Sequence, residues 1–254
     1  SKSIKISTYA EKSKLFGTDL HPFVHGLYES DLYEKNILVP KARDKKYWGA
    51  LRAFVKENDI KYAMIHPESA VLEWSLYKKN GGIWPCETIL PDYDLVKILL
   101  NKGKMTSILK DSGLVPKSYV LNPKELDLSK LEKKLSYPFW IRSTSGSSGL
   151  GSLKVESRES LKNWFTINPG VSEFIASVFL PKRNLACKLL YHNGELIRSA
   201  SGERVNYIMS KVSPSGITGN TSFGRLLNEP ELVNLATKAM DLLFKATNTI
   251  KHGF

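Results

Sequence analysis

The sequence predicts a mixed architecture, with an α/β segment first and two α+β lobes after it. Strand and helix patterns alternate between Ser13 and Gly82, which implies parallel strands joined by right-handed crossovers. A glycine-rich segment lies between two strand patterns in Tyr137–Val155, and Asn193–Gly194 is typical of a tight antiparallel hairpin. The 254 residues suffice for one large domain or two to three compact lobes.

The first predicted domain, residues 1–89, is of α/β type. In chain order we expect a helix at Ile4–Glu11, a strand in Ser13–Leu20, a helix in Asp44–Asn58, a strand at Ile60–Ile65 and a helix in Glu68–Gly82. Asp44 is the expected N-cap of its helix, and Pro67 is expected to stop the strand before it. Because a helix pattern comes first, the first strand of this domain is expected to be missing.

The second predicted region, residues 90–168, is a small α+β lobe. Its expected elements are two helices in Leu90–Leu114 interrupted near Asn101–Gly103, a strand in Val115–Leu121, a short helix in Glu125–Leu135, strands at Tyr137–Arg142 and Ser152–Val155, and a helix at Arg158–Phe165. Gly113 is the expected C-cap of the second helix, and Ser157 the expected N-cap of the last.

The third predicted region, residues 169–254, begins with the apolar strand pattern Val171–Leu180. A hairpin in Asn184–Ser201 follows, then the polar stretch Ser213–Ser222 and a helix in Pro230–Thr247. The last residues, "IKHGF", are typical of the start of another strand. We therefore expect this lobe to be incomplete at its C-terminal side.

The composition favours a protein of a reducing compartment. There are only two cysteines, Cys86 and Cys187, without the spacing of a disulfide scaffold or a zinc site. No apolar run has the length of a membrane span and no signal-peptide pattern is present, so we expect a cytoplasmic protein without membrane partners. The net charge of +12 permits a nucleic-acid-binding alternative, but the lysines are interspersed with acids, which favours a solvated surface.

The segment Ser145–Ser152 offers three glycines and four serine hydroxyls. Glycine lets backbone N–H groups approach a phosphate closely. The order is G-x-x-G-x-G and the segment joins two strands, whereas a dinucleotide fingerprint or a P-loop opens a helix. A protein-kinase loop is excluded because no His-Arg-Asp or Asp-Phe-Gly follows. Two interpretations stay open: a lid over phosphates, or a mobile surface hairpin.

Two basic residues are candidates for phosphate contacts. Arg142 ends the strand before it, where a guanidinium can bind phosphate oxygens in a bidentate manner. Lys102, in "NKGKMTS", is a second candidate for a phosphate contact. The alternatives are a surface ion pair for Arg142 and a solvated side chain for Lys102.

Taken in order, these segments resemble the ATP-grasp superfamily, and especially the ATP-binding unit of the carbamoyl-phosphate synthase large chain. "NKGKMTSILKDSGLVPKSYV" resembles its Asp-Lys segment, "YPFWIRSTSGSSGLGSLKV" its basic strand end and lid, and "SVFLPKRNLACKLLYHNGELI" its adenine-reading segment. "SPSGITGNTS" resembles the active-site segment that follows. The resemblance implies two α+β lobes around ATP, preceded by a Rossmann-like domain.

The resemblance also implies residue roles. Arg142 would be catalytic, and the phosphates would be held by Lys102, Arg142, Ser145, Gly146, Ser147, Ser148, Gly149 and Gly151. The backbone of Val178 and Leu180 would read adenine, and Asn184 would hold the ribose. Asn101, Val178 and Asn184 stand where the family usually has acids, so a catalytically inactive nucleotide-binding relative is the alternative.

The reaction implied by the resemblance joins a small carboxylate to an amine or ammonia through an acyl phosphate, with ATP and Mg²⁺. The family's metal ligands would lie beyond Phe254. The nearby acids Glu173, Glu195 and Glu203 are expected in surface ion pairs rather than on a metal. The substrate and the oligomeric state are left open.

Overall fold

The computed structural model describes residues 13–28, 31–147, 149, 151–181, 183–217 and 219–253. The helix predicted at Ile4–Glu11 and the lid residue Ser148 lie outside these residues. The chain forms two compact units, Ser1–Thr88 and Ile89–Phe254.

The first unit contains two parallel strands, β1 (Phe16–Asp19) and β2 (Lys35–Leu38). A 3₁₀ turn at His25–Tyr28 lies between them, and the helices α1 (Tyr47–Glu57) and α2 (Glu68–Lys79) follow. Both helices confirm the sequence prediction, whereas β2 was not predicted.

The strand predicted at Ile60–Ile65 is wrong. Only Tyr62 pairs, through a single parallel bridge to Glu87. Tyr62 and Met64, the side chains that alternate onto one face, are 75% and 66% exposed. No packed layer covers that face, so a longer strand here would bury little apolar surface and gain little stability.

Aromatic contacts hold the two helices of this unit together. The Trp74 indole is 2% exposed and donates to the Tyr47 hydroxyl at 2.8 Å, and Trp48 stacks on Tyr77 with ring centroids 3.9 Å apart. The N-cap of α1 is Lys46, not the predicted Asp44. Asp44 lies two residues before this N-cap, and its carboxylate accepts a hydrogen bond from the Lys46 backbone N–H at 2.8 Å.

The second unit contains five helices and seven strands in its described residues. They are α3 (Tyr93–Leu99), α4 (Lys102–Leu109), β3 (Ser118–Leu121), α5 (Leu128–Glu132), β4 (Phe139–Ser143), β5 (Leu153–Val155), α6 (Arg158–Ile167), β6 (Phe174–Val178), β7 (Leu185–His192), β8 (Glu195–Tyr207), β9 (Thr221–Leu227) and α7 (Pro230–Thr247). The strands form two antiparallel sheets, ordered β3-β6-β4-β5 and β7-β8-β9.

Strand β9 was not predicted, and β8 continues six residues past the predicted hairpin end at Ser201. Six of the seven residues of β9 are exposed, so the strand lacks the polar and apolar alternation by which a half-buried strand is recognised. The predicted Asn193–Gly194 turn is confirmed, with φ of 48° and 99° at its two residues. Gly253 pairs with Tyr191 in one antiparallel bridge.

Two apolar cores stabilise this unit. In the first, α5 and α6 cover the four-stranded sheet, and Phe139, Ile141, Val155, Leu161 and Phe174 are fully buried. In the second, α3, α4 and α7 pack with β7 around Leu95, Leu109, Tyr191, Leu243 and Phe244.

The predicted N-cap of α6 is confirmed. Ser157 accepts from the Ser160 N–H and Ser160 returns the bond to the Ser157 N–H, both at 3.1 Å, which forms a capping box. Helix α4 ends at Leu109 with Lys110 as its C-cap, so Gly113 is not the cap. Gly113 instead adopts a left-handed conformation, φ 73°, in the turn that follows. None of the described helices has the length and apolar character needed to cross a membrane.

The first prediction concerns the contribution of the Glu132 carboxyl group to stability. Hydrogen bonds from Arg158 and then from Tyr137 lower the pKa of Glu132 from 4.5 to about 2. A carboxyl whose pKa is lowered by folding stabilises the fold above its unfolded pKa, and this contribution is lost as the pH falls toward the folded pKa. We expect wild type to be more stable than Glu132→Gln at pH 7, and the difference to shrink between pH 4.5 and 2. Urea unfolding of both proteins at several pH values measures it, and a difference independent of pH would contradict the assignment.

Candidate functional site

Strand β4 presents two different faces. Phe139 and Ile141 point into the first core with no exposed surface, while Trp140 and Arg142 alternate onto the opposite face. Lys154 of β5 lies opposite Trp140, and Ile175 of β6 lies opposite Arg142, so they share this second face. The strand pairing therefore places a guanidinium on a largely apolar surface at the strand end.

Arg142 is a partly buried cation without an anionic partner. Its guanidinium makes no hydrogen bond or ion pair within the part of the chain that the structure describes. Burial lowers its pKa, and desolvation is the only cause of the shift. A buried guanidinium keeps its charge and normally requires a carboxylate or phosphate to offset the lost hydration. The guanidinium of Arg142 at the end of β4 is therefore available to bind an anion.

Lys102 reaches the loop that follows Arg142. Asn101 is the N-cap of α4, and its side-chain oxygen accepts from the Lys104 N–H at 2.9 Å. The Lys102 N–H donates to the Thr144 carbonyl at 2.8 Å, and the Lys102 ammonium donates to the Gly146 carbonyl at 2.5 Å. The structure therefore brings together Lys102, the end of β4 and the glycine-rich loop, as the sequence analysis expects.

The loop is anchored at its base and exposed at its tip. Thr144, 3% exposed, donates from its N–H and from its hydroxyl to the Glu173 carbonyl at 3.2 and 3.3 Å. Ser145, Gly146 and Ser147 are exposed. The tip is thus free to contact a ligand, while the residue that precedes it is fixed.

Gly151 has a structural role at the other end of the loop. It adopts φ 67°, and its carbonyl accepts from the buried Trp164 indole at 3.0 Å. A Cβ there would lie 3.3 Å from the Ser143 backbone nitrogen and 3.4 Å from the Phe174 ring. Gly146 and Gly149 also have positive φ, 85° and 75°.

The predicted adenine-reading segment follows β6. Val178 and Leu180 are 43% and 65% exposed, so the end of the predicted apolar strand Val171–Leu180 is accessible rather than buried. The Val178 N–H donates to the Lys117 carbonyl at 3.1 Å, whereas the Leu180 N–H has no partner among the described residues. Phe179 lies beside Trp140, with ring centroids 6.3 Å apart, and under the Lys154 ammonium at 5.3 Å.

Asn184 lies in a different place, a cavity of about 350 Å³ at the second sheet. Arg183, Glu203 and Arg204 also line it, and the backbone N–H of Arg204 donates to the backbone carbonyl of Asn184 at 2.8 Å. Sequence reasoning missed Arg204 because the predicted strand stopped at Ser201. The charged and polar run "GERVNY" directly after that strand is the signal that could have indicated it.

The described residues do not provide a metal site, since they contain no group of three or more His, Cys, Asp or Glu side chains able to hold an ion. Glu203 is in ion pairs with Arg183 at 3.2 Å and Arg225 at 3.9 Å, although its side chain is only 15% exposed. Glu173 contributes its carbonyl to Thr144, and Glu195 is exposed at the hairpin turn. The acids considered as metal ligands are therefore not assembled with one another.

The second prediction concerns the contribution of Gly151 to stability. Replacing it with alanine forces a side chain into the left-handed region and against Ser143, so we expect Gly151→Ala to lower the free energy of unfolding by about 1–2 kcal/mol. Gly170→Ala is the matched control, because a Cβ at Gly170 meets nothing within 4 Å and its φ is not positive. Urea denaturation of both variants measures the effect, and an equal effect in both would refute the strain at Gly151.

No family model matches this chain, and no curated protein matches its sequence. Solved structures do match its fold. D-alanine–D-alanine ligase from Bacillus anthracis is similar over 94% of this chain and 81% of that one, with a TM-score of 0.60 and 16% identity. N5-carboxyaminoimidazole synthetase from Staphylococcus aureus, complexed with ADP, is similar over 91% of this chain, with a TM-score of 0.62 and 15% identity.

L-amino acid ligase from Bacillus licheniformis is similar over 87% of this chain, with a TM-score of 0.53 and 16% identity. This chain spans 56% of the length of the last two proteins. The chain shares its fold with these two ligases and the synthetase, which confirms the general resemblance inferred from the motifs.

Proposed function

We propose that this protein is an ATP-dependent ligase that joins a small carboxylate to an amine or to ammonia. The observation that carries the proposal is the partly buried Arg142 guanidinium, which has no anionic partner among the described residues and lies two residues before Thr144, the anchor of the glycine-rich loop. Lys102 contacts the same loop. Because the chain shares its fold with ligases that use ATP, we interpret this cationic strand end as a phosphate site.

The proposed reaction has two steps. A carboxylate oxygen of the substrate attacks the γ-phosphorus of ATP, the bond to the β,γ-bridging oxygen breaks, and an acyl phosphate and ADP form. The amine then attacks the acyl carbon, inorganic phosphate leaves with its electron pair, and the amine proton passes to solvent. Positioning and electrostatic stabilisation dominate catalysis of phosphoryl transfer.

The residues around β4 suit the first step. The Arg142 fork can bind two phosphate oxygens at once, and the Lys102 ammonium adds a second positive charge. To reach a phosphate, Lys102 exchanges its hydrogen bond to the Gly146 carbonyl for a phosphate oxygen. Closure of the loop Ser145–Gly151 would then cover the phosphates and exclude water.

The nucleoside is proposed to lie along the segment after β6. The backbone at Val178 and Leu180 would read adenine, with the Leu180 N–H as the group available to donate, and Asn184 would bind the ribose. Trp140 and Phe179 provide aromatic surface beside this segment.

The finer assignments are proposals as well. The first unit would be a Rossmann-like domain, the ligase would be of the carbamoyl-phosphate synthase type, and the protein would work in the cytoplasm. A magnesium requirement follows from the family resemblance alone. Because the described residues do not assemble a carboxylate site, no step is assigned to the metal.

Nucleotide binding tests the proposal. Hydrogen bonds to charged groups contribute about 1.5–3 kcal/mol, so we expect Arg142→Gln and Lys102→Gln each to weaken ATP binding roughly 10- to 100-fold. Lys110→Gln removes the same charge from an exposed residue beyond the end of α4 and should bind like wild type. Isothermal titration with ATP and ADP measures the affinities. If the full-length protein binds neither nucleotide, or if all three variants bind like wild type, the proposal is wrong.

A second candidate is a nucleotide-binding protein without ligase activity. It is favoured by Asn101, Val178 and Asn184, which stand where the family usually has acids, and by the role of Asn101 as a helix cap. We expect the ligase to release ADP continuously only when a carboxylate and an amine are both present, because the acyl phosphate formed from the carboxylate alone is not consumed. Measuring ADP release by the full-length protein with a panel of both substrates separates the candidates, because a binding protein releases none.

A further inference from the structure

Strand β3 forms one edge of the four-stranded sheet. It pairs with β6 alone among the described strands. The Val178 N–H donates to the Lys117 carbonyl at 3.1 Å, and in an antiparallel ladder every second residue bonds to the neighbouring strand. Ser118 and Val120 therefore direct their backbone N–H and C=O groups away from β6. These groups have no strand partner in the part of the chain that the structure describes.

The other strand edges of the second unit are protected in ways that β3 is not. At the opposite edge of the same sheet, β5 has only three residues, and its Lys154 is in an ion pair with Glu156 at 2.8 Å. In the second sheet, Gly253 bridges to β7, and the pairing of β9 with β8 is interrupted by two register shifts. Short strands and bulges make an edge a poor template for another strand. β3 pairs with β6 without a shift in register, so it is the regular edge among the described strands of this unit.

Two lysines give one face of this edge a positive charge. The ammonium groups of Lys117 and Lys134 lie 5.9 and 4.9 Å from the centroid of the Tyr119 ring, which itself packs against the first core. Both lysines are exposed, and neither is in an ion pair with a carboxylate of the described residues. Attraction to the packed ring restricts where the two charges lie. The Tyr119 face of β3 thus carries two oriented and uncompensated cations.

The opposite face of β3 is apolar at its centre. Val120 is 50% exposed and follows Tyr119 in the strand, so its side chain lies on the other side of the sheet. A strand added beside β3 would place its own side chains alternately on these two faces. Carboxylates suit the face of Lys117 and Lys134, and apolar side chains suit the face of Val120. The edge therefore favours an extended segment in which acidic and apolar residues alternate.

A second copy of this chain fits the edge poorly. Antiparallel pairing of β3 with itself about a two-fold axis would bring Lys117 and Lys134 of both copies onto one face of the joined sheet, with no carboxylate in β3 to offset them. Like charges on one face of neighbouring strands are destabilising. The net charge of +12 adds repulsion between copies and attracts an acidic partner. Charge complementarity thus points to an acidic segment of a different protein.

We propose that β3 is the docking edge for an acidic, extended segment of a partner protein, which joins the sheet as a fifth strand. The backbone of Ser118 and Val120 supplies the ladder hydrogen bonds, as in other cases of strand addition to an exposed edge. Carboxylates of the partner face Lys117 and Lys134, and its apolar side chains cover Val120. None of these four residues belongs to the proposed nucleotide site, so the docking edge and the ligase activity succeed or fail separately.

A synthetic peptide tests the docking edge. The probe is a fluorescently labelled, end-blocked hexapeptide in which glutamate and valine alternate, titrated at constant ionic strength against the full-length protein and followed by fluorescence anisotropy. Exposed ion pairs are weak, so we expect Lys117→Gln and Lys134→Gln each to reduce the affinity roughly two- to five-fold, and the double variant to reduce it further. Lys133→Gln removes the same charge from the neighbouring exposed residue and should bind like wild type.

Methylation of the peptide nitrogens separates strand addition from simple charge attraction. In antiparallel addition the valine N–H groups face β3, and the glutamate N–H groups face away from it. We expect N-methylation of the valines to abolish binding and N-methylation of the glutamates to leave it unchanged. In wild type, the unmethylated peptide should also slow hydrogen exchange at the Ser118 and Val120 amides.

The proposal is overturned if the hexapeptide does not bind saturably, or if the double variant of Lys117 and Lys134 binds it like wild type. Equal binding of the valine-methylated peptide would reject strand addition and assign the lysines to a surface for polyanions such as nucleic acid. Self-association of wild type that protects the Ser118 and Val120 amides without peptide would assign the edge to a second copy instead. The double variant should bind ATP like wild type, because neither lysine belongs to the proposed nucleotide site.

Discussion

The described geometry of the strand-end site depends on how Thr144 is fixed. Its N–H and its hydroxyl both donate to the Glu173 carbonyl, and its own carbonyl accepts from the Lys102 N–H. One buried residue thereby joins the start of α4, the end of β4 and the start of β6. Arg142 precedes this junction by two residues and the exposed loop begins directly after it, so the three hydrogen bonds fix the start of the loop next to the strand that carries Arg142. Their distances are ordinary, but their convergence on a residue that is 3% exposed shields them from water.

A rigid sheet makes an unpaired charge tolerable. Partial burial of a guanidinium on an apolar face removes hydration and is unfavourable. Such groups occur mainly at functional sites, where a bound ligand offsets the lost hydration. Phe139 and Ile141, on either side of Trp140, are completely buried, so β4 cannot rotate its opposite face into solvent. Arg204 likewise has no carboxylate partner among the described residues, and its side chain is held by stacking on Tyr207 and by a bond to the Thr221 hydroxyl.

Local signals account for the parts of the fold that sequence reasoning predicted. The helices α1 to α7, the capping box at Ser157 and the Asn193–Gly194 turn each depend on residues a few positions apart. The errors occur where pairing lacks such a signal: β9 is almost wholly exposed, and the predicted strand at Ile60–Ile65 has no packed layer over it. For the site, the order of the motifs was enough to expect that Lys102, Arg142 and the loop meet. It was not enough to find Arg204, which lies on a strand extension.

The sequence by itself determined the ATP-grasp resemblance, the caps, the hairpin turn and the candidates at the β4 strand end, because these depend on residue type and short spacing. Only the tertiary structure decided which cations are neutralised. Arg183 and Glu229 are 46 residues apart, and Arg158 and Glu132 are 26 apart, so nothing local distinguishes these paired arginines from Arg142 and Arg204. An ion pair forms between groups that folding brings within about 4 Å, and that distance is set by the packing of whole sheets and helices rather than by neighbours in the chain.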